Sequence, residues 1–144
     1  MPLIQEEAIE RMRRDHECMI ELIRRIKATC TQIDVVDNCH RCQSGRRQVC
    51  HVEIRQLVAA FVETTLKHNV LESLYMEERV PKAHRQAHNQ AHMVIAEQIK
   101  AIRIVLSEDG NCVLAIAGID EVLRTLVTHF AEFDQQLEDY LLLA

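Results

Sequence analysis

The chain has no tryptophan, two tyrosines, three phenylalanines, three glycines and two prolines in 144 residues. So little turn punctuation argues against a sandwich or barrel, whose short strands need a turn signal roughly every 8–12 residues. Long hydrophobic runs are missing too. The longest, LVAAFV and VLAIAGI, fall far below the ~20 residues that a membrane-spanning helix requires. The opening stretch, MPLIQEEAIERMRRD, turns acidic and amphipathic at once. It has no apolar segment followed by a small-residue cleavage site, so it does not read as a secretory signal. A soluble, cytoplasmic protein is expected. Concentrated positive charge is also absent. The net charge is −5, and the pairs Arg13-Arg14, Arg24-Arg25 and Arg46-Arg47 are scattered among acidic neighbours. They read as solvated helix faces and loop, which excludes a basic stripe for nucleic acid or an anionic membrane.

What the chain does have is aliphatic periodicity. Apolar residues make up 48% of it, and they recur at three-and-four spacing in four long segments. Ile9, Met12, His16, Met19, Ile20, Ile23, Ile26 and Cys30 mark the first, from about 4 to 33. Ile54, Leu57, Phe61, Thr64, His68, Glu72 and Tyr75 mark the second, from about 47 to 79, and Val80-Pro81 breaks it. The third carries His84, His88, His92, Ile95, Ile99, Ile102 and Leu106, and stops at SEDGN, where Gly110 and Asn111 are suitable helix-ending residues. The fourth runs from about 112 to 143 through Ile119, Val122, Leu126, His129, Phe133, Leu137 and Leu141. Helices of this length, about 38–48 Å, joined by short connections favour antiparallel neighbours. The expected fold is all-α, an antiparallel up-down-up-down four-helix bundle. It forms one domain over residues 1–144, long enough to bury roughly 68–70% of the unfolded chain's surface. A Cys-containing insert at about 35–50 separates the first two helices.

Polar residues on an apolar seam are costly unless paired or bound, so the seam is where chemistry is sought. His16, His68 and His129 sit at apolar-phase positions of the first, second and fourth segments, and at least one of His84, His88 and His92 does so on the third. One such residue alone would read as a hydrogen-bonded core histidine; one on every helix points to a shared centre. Glu72 lies one turn after His68, about 40° away around the helix, so both can reach one point. Asp134 follows His129 by five residues, about 140° on a regular α-helix. Either the helix is locally widened, as in a π-turn, or the two bind different parts of a centre larger than one ion. An i, i+4 histidine pair on the third segment completes a set of five imidazoles, one Glu and one Asp. So nitrogen-rich a set suits iron, zinc or copper rather than calcium or magnesium. Ferritin-like di-iron sites use Glu-x-x-His twice, and no Glu here has His three residues later.

The ordered motifs, His in DHECMIELI, H-x-x-x-E in HNVLESLYM with Met four beyond the Glu, H-x-x-x-H, and H-x-x-x-x-D in HFAEFD, resemble those of the hemerythrins and bacterial hemerythrin-like proteins. The resemblance covers almost the whole chain. It separates the chain from related cation-binding domains ending in H-x-x-x-E, since Phe133 stands four after His129. It implies a non-haem di-iron centre in which His88, His92 and His129 bind one iron and His16 with His68 the other. Glu72 and Asp134 would bridge the two irons with an oxo or hydroxo group. The second iron would keep an open position for reversible O₂ binding, in carriage, storage or sensing, with O₂ or a small analogue as ligand and no catalysis. The family's spacing from the bridging Glu, together with the buried phase continued by Ile95 and Ile99, selects His88 and His92 over His84. His84 is left as a solvated or supporting residue whose replacement by Ala keeps the iron. Asn69, where Phe is common, and Ser73, where a second acid is common, depart from the pattern, as does the lack of a Trp-bearing N-terminal arm. These departures bear on oxygen affinity and oxidation rate.

Apolar neighbours around the proposed ligands, Met19, Ile20 and Ile23, Leu71 and Phe61, Leu126 and Phe133, make a dry pocket without an acid, which favours release of bound ligand over its cleavage. They serve equally as ordinary core. A di-iron peroxidase, oxidase or nitric-oxide-handling protein is the alternative. The insert offers a third reading. Cys39, Cys42 and Cys50, with His40 and His51, could close a zinc site or form a reversible dithiol, giving a redox or zinc sensor with a separate protein partner. They could equally be plain loop thiols. Cys18 is about 200° from His16 on the helix and is not expected to be an iron ligand. Cys30 and Cys112 read as small residues buried near the bundle ends.

Overall fold

The computed structural model describes residues 2–30 and 44–143, and these are helical almost throughout, without a strand among them. Helix α1 spans Pro2–Thr29, α2 Ser44–Arg79 and α3 Lys82–Ile104, the last extended by a π-turn over Val105–Asp109. Helix α4, Cys112–His129, passes through a second π-turn, Phe130–Asp134, into α5, Gln135–Leu143. The fourth rod is therefore continuous, and the four rods pack as a helical bundle. Helix α2 begins earlier than its periodicity indicates. Residues 44–50, assigned to the insert on sequence, are its first two turns, because Arg46, Arg47 and Gln48 are good helix formers and α1 takes up the half-buried Cys50. The thiol of Cys50 lies 3.8 Å from the Thr29 carbonyl. No described helix is long and apolar enough to cross a membrane.

The breaks have local causes. Pro81 holds φ −56° and ψ 144° outside α3, and its carbonyl accepts the Arg85 N–H at 3.1 Å, so the ring ends α2 and its carbonyl starts α3. Gly110 takes φ +70°, a left-handed conformation that side chains resist, and donates its N–H to the Val105 carbonyl at 2.9 Å. Asn111 does not end α3 with it. Its side-chain oxygen accepts the Leu114 N–H at 3.2 Å, so it opens α4 as an N-cap.

The apolar interior is divided. A large cluster joins Met19, Ile23 and Ile26 of α1 to Ile54, Val58 and Phe61 of α2, Ile95, Ile99 and Ile102 of α3, and Ile116, Ile119, Val122 and Leu126 of α4. Within it α3 and α4 approach closely enough that a Cβ on Gly118 would lie 2.8 Å from Ile102. A smaller cluster holds Ala8, Ile9 and Met12 with Met76, Val80, Leu137 and Leu141. On the inward face of each rod the residues between the two clusters are polar and buried or nearly so. His16 falls between Met12 and Met19, His68 and Glu72 between Phe61 and Met76, His88 and His92 between Val80 and Ile95, and His129 and Asp134 between Leu126 and Leu137. Each buried aliphatic side chain contributes about 1.5–3 kcal/mol. The two apolar layers thus hold the polar layer in place and cover it from above and below. Arg13 is exposed, as expected of a solvated face, and from there reaches across to the buried Glu138 of α5 at 2.8 Å.

Candidate metal centre

The seven side chains singled out in the sequence meet in the polar layer. Glu72, His88, His92, His129 and Asp134 form one group, and His16, His68, Glu72 and Asp134 a second; within each group the available ligand atoms lie within 4.8 Å of one another. Every histidine turns Nε2 inward. The carboxylates belong to both groups. Glu72 Oε1 is 3.0 Å from His68 Nε2, 3.1 Å from His92 Nε2 and 3.7 Å from His88 Nε2. Asp134 divides its oxygens, Oδ2 at 2.9 Å from His16 Nε2 and Oδ1 at 2.9 and 3.1 Å from the Nε2 atoms of His88 and His129.

The second π-turn makes this possible. Its bond from the Gln135 N–H to the Phe130 carbonyl closes an i→i+5 ring, so five residues span about one turn and Asp134 comes round onto the face of His129. Of the two explanations open for the H-x-x-x-x-D spacing, helix widening is present, and Asp134 faces both groups as well.

Electrostatics favour a cation. Glu72 and Asp134 are buried, and Glu72 Oε2 and both Asp134 oxygens lack a hydrogen-bond donor in proper geometry, although imidazole nitrogens lie within 3.1 Å of Asp134. Buried anionic oxygens without donors are destabilising unless a positive charge sits among them. Burial raises the pKa of both acids, but the surrounding imidazoles outweigh it. His68, His88 and His92 hold Glu72 well below the usual carboxylate range, and His129, His16 and His88 hold Asp134 at about 2. Burial works against a charge on His88, yet Asp134 and Glu72 carry its pKa to about 9. Burial is opposed in the same way at His68, which is raised by Glu72 and Asp15. It prevails at His92, which is lowered despite Glu72. Two buried anions facing five convergent ring nitrogens fit a metal ion, and this cluster could hold one.

Two participants were not foreseen, and a third, His84, was left between two placements. Asp15 Oδ2 lies 2.9 Å from His68 Nδ1, orienting that ring from outside; adjacency to His16 in the chain gave no sign that it faces α2. An acid therefore stands beside the pocket, though behind the ring. Phe130 stacks on His16 with centroids 3.9 Å apart. His84 is 7% exposed, so of the two placements expected for it, solvated or supporting, the solvated one does not hold. Its Nε2 lies 3.0 Å from His88 Nδ1 and its Nδ1 3.2 Å from Gln136 Oε1, because the helix drifts only about 40° per four residues. Burial and the neighbouring His88 lower its pKa.

Of the thiols, Cys18 is exposed, Cys30 half-buried and Cys112 buried. Cys39, Cys42 and His40 lie outside the described residues, while His51 Nε2 is 3.0 Å from the Leu106 carbonyl. Compared with protein-family models, curated proteins and solved structures, the chain matches none.

Proposed function

We propose that the chain is a hemerythrin-like protein, an antiparallel up-down-up-down bundle that holds two non-haem irons and binds O₂ reversibly in the cytoplasm. The observation that carries the reading is the sharing of Glu72 and Asp134 between a three-histidine group and a two-histidine group. One ion would use all five ligands of the larger group and needs no second carboxylate geometry; two ions explain why each acid faces both ways. Antiparallel order is supported by the pairings along α1, where Arg13, His16 and Lys27 meet Glu138, Asp134 and Asp120 in descending order.

Bound at these residues, two ferrous ions would supply the two electrons that O₂ accepts reversibly. His88, His92 and His129 enclose one position fully. His16, whose side chain is 14% exposed, and His68 leave the other with fewer ligands and nearer the surface. Phe130 on His16 and the buried pair Thr65 and Met19, joined by a 3.3 Å hydroxyl-to-sulfur hydrogen bond, limit water there. Asp15 is turned to the far edge of His68 and engaged with it, so this acid does not stand where a bound ligand would be protonated.

Iron-loaded protein, reduced without oxygen and then exposed to air, should develop a visible charge-transfer band that disappears when oxygen is withdrawn. Rapid irreversible oxidation with turnover of hydrogen peroxide would replace the carrier by an enzyme.

A further inference from the structure

We propose that His84 is a positioning residue which, with Gln136, fixes His88 in the tautomer that a metal ion requires. The inference rests on the reading of the cluster as a metal centre, but not on iron or on dioxygen chemistry.

Both ring nitrogens of His84 are engaged, Nδ1 with Gln136 Oε1 at 3.2 Å and Nε2 with His88 Nδ1 at 3.0 Å. A carbonyl oxygen only accepts, so the hydrogen of neutral His84 resides on Nδ1 and its Nε2 keeps a lone pair. That lone pair accepts the N–H of His88 Nδ1. His88 is then left with Nε2 as the nitrogen that gives up its proton to an arriving ion, facing the space between Asp134 Oδ1, at 2.9 Å, and His129 Nε2, at 3.1 Å. Were the Gln136 amide to offer its NH₂ instead, each step would invert and His88 would aim a proton at the position an ion must occupy. The relay is held in place. Tyr140 meets the His84 ring edge-on with centroids 5.3 Å apart, and Phe133 lies at 6.3 Å, so the ring cannot turn over without displacing them.

His68 reaches the same tautomer by a different device, the carboxylate of Asp15 at its Nδ1. His84 and Gln136 give direction without adding a further negative charge to a layer that already buries Glu72 and Asp134. Only the outermost member, Gln136, is exposed.

Zinc serves as a diamagnetic probe. Long-range proton–nitrogen spectra of zinc-loaded, ¹⁵N-histidine-labelled chain should show His88 protonated at Nδ1 and metal-bound at Nε2, with His84 protonated at Nδ1. Competition against a chromogenic chelator should show His84→Ala weakening zinc binding by about 10–100-fold, with capacity at saturating zinc retained. His84→Gln, whose carbonyl can still accept from His88, should recover most of the loss. Gln136→Leu, a change at an exposed position, should weaken binding in the same direction and decides the matter if His84→Ala does not fold. Unchanged zinc affinity in a folded His84→Ala, or His88 bound through Nδ1, would overturn the inference alone. A wild-type chain that takes up no ion would overturn the metal-centre reading and this inference with it.

Discussion

The two sides of the polar layer share both carboxylates and differ in nearly everything else. On one side three imidazoles, none more than 7% exposed, are enclosed by α3 and α4, and one of them is steered by a neutral histidine–glutamine relay. On the other, His16 of α1 is partly open and His68 is steered by a charged group, Asp15, that itself contacts Arg11 at 3.6 Å. Ligand number and burial would make the first side the tighter and the second the more accessible, while the carboxylate behind His68 would strengthen that ring as a ligand. A centre meant to hold metal permanently and admit a small ligand needs that division.

The comparison breaks most completely at the shared acids. Glu72→Gln removes one negative charge from both groups and should take metal content from two ions per chain to none, measured by elemental analysis after exhaustive dialysis. One retained ion would mean that the sides do not depend on a common bridge. Next in size is the contrast between single histidine losses. His68→Ala should leave one ion, held by His88, His92 and His129, whereas His92→Ala should release the ion on its own side. Equal behaviour of the two variants would erase the asymmetry.

The third prediction concerns protons. In the metal-free chain His88 has its pKa raised from 6.5 to about 9. The stability this provides is fully present below pH 6.5 and is lost as pH rises through 9. Metal binding runs the other way, since an ion needs the bare Nε2. Zinc affinity should climb about tenfold per pH unit between 7 and 9 for one displaced proton. An affinity flat over that range would show that His88 is already neutral in the free chain. The smallest effect is expected at Phe130. Replacing it by Ala removes the ring stacked on His16 and should lower stability by about 1 kcal/mol, read as a drop in thermal midpoint, with both ions kept.

Much of this layer was legible because helical periodicity makes a polar residue on an apolar phase conspicuous. His16, His68 and His129 needed no more than that. The H-x-x-x-x-D spacing was legible as an anomaly but not resolved by it, since whether a helix widens depends on packing across the bundle. His84 was left between a solvated and a supporting place because a 40° drift per turn leaves three histidines nearly equivalent, and only the docking of α5, with Gln136 and Tyr140, decides how deep the first one sits. Asp15 and Gln136 could not be found at all, for each acts on a residue far away in sequence. The split of the apolar interior into two layers follows from the same periodicity, once the polar positions are read as aligned across all four helices. The start of α2 at Ser44 was missed because the cysteines and paired arginines resembled a loop, while local helix propensity and the contact with α1 carried the helix through them.

The central claim, that the layer holds two ions through shared Glu72 and Asp134, is tested most directly by titrating the metal-free chain with ferrous iron under anaerobic conditions, oxidising it, and recording iron per chain together with the Mössbauer spectrum in an applied field. The account predicts two irons per chain with the diamagnetic ground state of two coupled ferric ions. One iron per chain, or two that are magnetically independent, would contradict it.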